Sequence, residues 1–115
     1  MRIGTVRRPP RGVAKTDFSS RNFYDVWLPT LAPSEELVKE ALSVALDDKR
    51  GWQQFVRKYR AEMKAPSTRH VLDTLAALSH QSNFSVGCYC ADERRCHRSI
   101  LRELLAERGA AIAKD

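Results

Sequence analysis

Two strand-like runs stand at opposite ends of this chain, and their separation constrains the fold more than any other feature. Arg2-Ile3-Gly4-Thr5-Val6-Arg7 alternates and carries β-branched residues, and Phe84 to Cys90 is a second apolar run. Strands joined in parallel need a crossover of a dozen or more residues, usually helical. The intervening sequence supplies that crossover. The pattern predicts an α/β fold: a small, largely parallel sheet flanked by about four helices, in a single compact domain over residues 1–115.

The helices are legible from caps and spacing. Pro33-Ser34 opens the first. Ser34 can cap the exposed N–H groups, Glu35 and Glu36 suit the positive end of the helix dipole, and Leu37, Val38, Ala41, Leu42 and Ala45 form one face. Trp52, Phe55, Val56, Tyr59 and Met63 fall at helical spacing, which marks a core stripe rather than a base-stacking platform. Pro66-Ser67-Thr68 breaks and recaps the chain before Val71, Leu72, Leu75 and Leu78. The last helix turns Ile100, Leu101, Leu104 and Leu105 inward and reaches Gly109, a C-terminal cap. Phe23 to Leu28, closed by Pro29, is either a short strand or a packed turn. Arg8-Pro9-Pro10-Arg11-Gly12 is a loop, since two prolines remove two backbone donors.

Chemistry concentrates where the last strand gives way to the last helix. All three cysteines, Cys88, Cys90 and Cys96, lie there with His97, Arg94, Arg95 and Arg98. In an open α/β sheet the carboxyl ends of strands are where ligands bind. Four readings compete. Cys88, Cys90, Cys96 and His97 have the composition of a Cys₃His zinc site, but the paired C-x₂₋₄-C knuckles are absent, and Cys96 and His97 would diverge by about 100° if both were helical. The expectation is therefore no closed metal site. Cys90 and Cys96 could close a small redox loop, although there is no C-x-x-C. A thiol at a helix N-terminus beside His97 and arginines would ionise readily and act as a nucleophile. Cys88 to Arg94 also satisfies C-x₅-R, but Gly87 stands where phosphatase loops carry histidine, and Asp92 and Glu93 would repel phosphate. Finally, cysteine is a frequently buried residue, and Cys88 is expected simply to pack. His70 and His80 lack comparable company.

Composition bounds the partners and the compartment. The net charge of +6 is gathered at the two ends, with Arg2, Arg7, Arg8, Arg11 and Lys15 before the first acid, and Arg94, Arg95, Arg98, Arg102 and Arg108 near the other terminus. That field favours a phosphorylated small molecule or nucleic acid. No apolar stretch approaches the ~20 residues that cross a bilayer, and the cysteines do not form a secreted disulfide framework, so a cytoplasmic setting without membrane association is expected.

Several segments, taken in order, carry a resemblance: Arg2 to Arg7, Pro10-Arg-Gly-Val13, Asp25-Val-Trp-Leu-Pro29, Leu31-Ala-Pro-Ser34, Trp52-x-x-Phe55-x-x-x-Tyr59-Arg60, and Cys90-Ala-Asp92 through Cys96-His-Arg98. The chain resembles domain-of-unknown-function family 488, the YeaO-like proteins, over nearly its whole length. The resemblance implies a bacterial or archaeal α/β domain and supplies no reaction. It places the site at Arg7, Arg11, Cys90, Cys96, His97 and Arg98. Asp92 stands where many relatives carry glutamate, and some relatives keep the histidine without the cysteines. That shifts weight from a zinc cluster to His97 and the arginines.

The expected site thus has Arg7, Arg11 and Arg98 holding an anionic group, His97 as acid or base, and Cys96 or Cys90 as a thiol participant. No cofactor is specified. The favoured function is an enzyme acting on a phosphorylated or nucleotide-like ligand. A noncatalytic nucleic-acid- or partner-binding module using a basic face is the alternative, and a small structural zinc domain the third.

Overall fold

The computed structural model describes residues 1–8, 11–21, 23–45, 47–88 and 96–113. Strand β1 (Arg2–Gly4) is the centre of a three-stranded sheet, with β2 (Val26–Trp27) on one side and β3 (Ser85–Gly87) on the other. Both pairings are parallel, and Ile3 stands opposite Val26 on one neighbour and Val86 on the other. Their carboxyl ends therefore share one edge.

The strands are shorter than the alternating sequence predicts, for a visible reason. The Thr5 N–H still donates to the Gly87 carbonyl at 2.9 Å, but beyond it the Val6 carbonyl and the Arg7 side chain are engaged elsewhere. The Trp27 indole N–H donates to the Val6 carbonyl at 2.7 Å. The Arg7 guanidinium donates to the carbonyls of Ala32 and Pro33 at 2.9 and 3.0 Å. These bonds draw residues 5–8 across the carboxyl edge instead of along the ladder.

Four helices follow the expected segments: α1 (Glu35–Ser43), α2 (Lys49–Glu62), α3 (Pro66–Leu78) and α4 (His97–Glu107). Ser34 caps α1, its hydroxyl accepting from the Leu37 N–H at 3.2 Å while donating to Glu62 at 2.6 Å. One side chain thus ties the start of α1 to the end of α2. Helix α4 ends on Gly109 at φ 82°, with Gly109 N–H bonded to the Ala106 carbonyl and Ala110 N–H to that of Leu105. This left-handed closure satisfies the last carbonyls.

Alternation along β1 sorts residues between two faces. Ile3 joins the main core with Tyr59, Leu72, Leu101 and other helical residues. Val6 joins a smaller cluster with Phe18 and Tyr24 on the opposite side. The Tyr24 ring lies so close over Gly4 that any β-carbon there would collide with it. Three expected core positions are corrected, one of them Ala45, which is exposed because α1 ends at Ser43 before reaching it. Leu42 is 82% exposed and Leu78 is also exposed, because each falls at the margin of its helix's apolar stripe. Among the described residues no helix is long and apolar enough to cross a membrane.

Candidate functional site

The site is assembled by the register of β1 and β3 and by the rotation of α4. His97, Ile100, Leu101, Leu104 and Leu105 are the buried residues of α4, so His97 occupies the first position of the inward stripe. That rotation brings its Nε2 to 2.8 Å from the Thr5 carbonyl and 2.9 Å from the Thr5 hydroxyl. A carbonyl only accepts, so Nε2 carries the proton. The Thr5 hydroxyl in turn donates to the Gly87 carbonyl at 3.1 Å, which leaves its lone pairs for His97. The tautomer is fixed by the strands beneath it, and Nδ1 is left facing Cys96.

Cys96 is the N-cap residue of α4, with extended backbone angles of φ −131° and ψ 150°. It is therefore not yet on the helical screw, and the expected divergence from His97 does not arise. Its Sγ lies 3.6 Å from His97 Nδ1 and 2.7 Å from Cys88 Sγ. Hydrogen bonding from Cys88, then from His97, the charge of His97 and the Arg98 backbone N–H all hold the Cys96 thiol well below its ordinary range. Burial opposes them and does not win. The thiolate form is the one this environment favours.

Tyr59 packs edge-on against the imidazole at 5.6 Å between ring centres, and its hydroxyl donates to the Leu31 carbonyl at 2.6 Å. Burial raises its phenol far above the ordinary range, so it stays protonated. Tyr59 is a rigid wall for His97.

A cleft of about 620 Å³ opens above this arrangement, with Cys88, Cys96 and His97 in its lining and Val38, Leu42 and Phe55 as apolar walls. Arg7, Arg8, Lys39 and Glu35 also line it, and Arg8 is ion-paired with Glu35. The balance of charge is positive. With sheet order β2-β1-β3, the chain leaves β1 toward one neighbour while the other neighbour enters from the opposite side. This is the switch point at which open parallel sheets form ligand crevices.

The structure gathers some expected site residues and separates others. Cys96, His97 and Arg7 line the same cleft. Arg98 lines a different cleft of about 370 Å³, with Arg102, Ser79, Asn83 and Phe84. One residue after the inward-facing His97, it is rotated by about 100° around α4. Arg11 is exposed and lines neither cleft. Cys90, Pro9 and Pro10 lie outside the described residues. One participant went unrecognised in the sequence. Thr5 could have been noticed as a hydroxyl at an inward position of an alternating strand. Cys88, expected to pack, does so against the Val6–Phe18–Tyr24 cluster and also meets Cys96.

Donor chemistry alone allows a metal, since Cys88, Cys96 and His97 offer ligand atoms within 4.8 Å of one another. The sulfurs stand 2.7 Å apart, and a tetrahedral zinc with bonds of ~2.3 Å would require them to separate to about 3.8 Å. The arrangement suits two interacting thiols and an oriented imidazole.

A family model described as the active DUF488-N3 subclade matches residues 1–109. No curated protein and no solved structure matches the chain.

Proposed function

The chain belongs to the DUF488 family, and we propose that it is an enzyme using Cys96 as a nucleophile on a phosphorylated or nucleotide-like ligand bound in the cleft. The observation that carries this reading is the relay Cys96–His97–Thr5, whose first two members line the cleft: a low-pKa thiol, an imidazole within reach, and a buried third group fixing that imidazole's tautomer. Nucleophile, base and orienting group in sequence are the signature of an activated side chain. The description of the matching subclade as active points the same way.

In this reading Arg7 and the amino end of α4 face the ligand's anionic group. His97 Nδ1 takes the Cys96 proton, and the thiolate attacks an electrophilic centre of the ligand. The bond to the departing group breaks, and that group receives the proton from Nδ1. Water, deprotonated by Nδ1, then releases the remaining fragment from sulfur. Thr5 keeps Nε2 protonated throughout. Arg7 contributes charge to the cleft while two of its donors hold the Ala32 and Pro33 carbonyls. Arg11 and Arg98 belong to the basic surface around the site rather than to its floor.

The test titrates a panel of nucleotides and phosphate esters against reduced wild type, Arg7→Lys and Cys96→Ser at two salt concentrations. At least one small ligand should bind wild type and weaken about tenfold in Arg7→Lys, because a lysine cannot reproduce the guanidinium fork. Cys96→Ser should keep that affinity and lose turnover. Binding of long nucleic acid alone, with steep salt dependence and no small-ligand affinity, would replace this reading with the noncatalytic binding module.

A further inference from the structure

The proposed catalytic step uses Cys96 and His97 but leaves Cys88 without a task. Cys88 follows β3, Cys96 caps α4, and their sulfurs meet at 2.7 Å inside a cleft open to solvent. Neither is disulfide-bonded. A thiol packed merely to fill space would sit against carbon. Here the half-buried Cys88 touches the smaller apolar cluster on one side and the sulfur of Cys96 on the other.

We propose that Cys88 and Cys96 form a reversible disulfide in response to hydroperoxides, with Cys96 the oxidised thiol and Cys88 the resolving one. The Cys96 sulfur attacks the terminal peroxide oxygen, forming an S–O bond as the O–O bond breaks, and the alcohol or water leaves with a proton relayed through His97. Cys96 is then a sulfenic acid. The Cys88 sulfur attacks it, the S–S bond forms, and the S–O bond breaks. The hydroxide departs with the Cys88 proton as water. Two thiols and one hydroperoxide thus give one disulfide, one alcohol and one water, and two equivalents of a small thiol reverse the change. A short approach between the partners favours resolution over further oxidation of Cys96.

The disulfide would remove the nucleophile from the proposed reaction, and in that respect the inference rests on the enzyme reading. Formation of the bond can nevertheless be read without any substrate.

The experiment exposes the reduced full chain to equimolar hydrogen peroxide, blocks remaining thiols after denaturation, and maps the peptides by mass spectrometry. Two of the three cysteines should be lost to alkylation, linked as Cys88–Cys96, and recovered with dithiothreitol. Cys88→Ser should lose one thiol only and accumulate a sulfenic acid at Cys96 that a cyclic dione traps. A Cys90–Cys96 link, or retention of all thiols with one bound zinc per chain, would overturn the proposal. Loss of small-ligand binding by the oxidised protein would connect the switch to the enzyme reading. If the disulfide forms while no small ligand binds the reduced protein, the enzyme reading fails and the redox pair stands.

Discussion

The two faces of the small sheet are built on different principles. On the helical face, thirteen buried residues, from Ile3 to Leu105, form one cluster drawn from β1, α1–α4 and their connections. On the other face only Val6, Phe18 and Tyr24 form the described buried cluster, covered by a 3₁₀ turn and loops, with Cys88 and Trp27 at its margin. Cys96 and His97 lie at the carboxyl edge between these regions. The larger core fixes α4 and thus His97, while the thinner face admits a thiol and a loop beside the cleft. The main core and the thiol–imidazole pair are therefore neighbouring sets of residues.

Substitutions can break or sharpen that contrast. Leu101 is fully buried in the larger cluster, and Leu101→Ala should cost about 2–5 kcal/mol in denaturant melts. A cost near zero would mean that the helical body is not the frame that holds the site. Tyr59→Phe removes the donor to the Leu31 carbonyl and should cost about 1–3 kcal/mol. Its ring remains against His97, so the ionisation of Cys96 should change little. An equally large shift of the Cys96 titration would show that body and site are not separable.

Thr5→Val is the complementary change. It deletes a hydroxyl between His97 and Gly87 while leaving the Thr5 position's carbonyl in place, and should cost about 1 kcal/mol. Its clearer signature is a lower reactivity of Cys96, because His97 loses one of the two groups orienting it. Unchanged reactivity would reduce Thr5 to a packing role.

The smallest effect lies away from the site. The Asp25 carboxylate accepts from the Arg2 guanidinium, the Arg2 backbone N–H and the Ser19 hydroxyl, which together hold its acid well below the usual carboxylate range. A carboxyl whose folded pKa is depressed stabilises above its unfolded pKa, and the contribution is lost as pH falls through the folded value. Asp25→Asn should therefore lower the thermal midpoint slightly at neutral pH, and the difference from wild type should shrink toward acid. A difference that grows in acid would reverse the assigned sign.

Helical elements were legible because their information is local. The five inward residues of α4 recur at helical spacing, Ser34 caps α1 as its position predicts, and Gly109 closes α4. The parallel sheet followed from the distance between the first and last strand-like runs. The cysteine-rich junction could be located because it is contiguous. What connects it to the rest could not. Thr5 meets His97 only through the register of β1 against β3, and Cys88 meets Cys96 only because residue 96 is a cap rather than a helical residue. Arg98 was grouped with Arg7 by charge, yet one step of helix rotation sends it to another cleft. Charge is visible in sequence; direction requires the fold.

The central claim is that the strands and α4 together make Cys96 a thiolate. Its direct measurement is the pH titration of thiolate ultraviolet absorbance, taken as the difference between reduced wild type and Cys96→Ser. The account predicts a thiolate that persists well below the free-thiol value of ~8.5 and disappears on unfolding. A single transition near that ordinary value, equal in folded and unfolded protein, would contradict it.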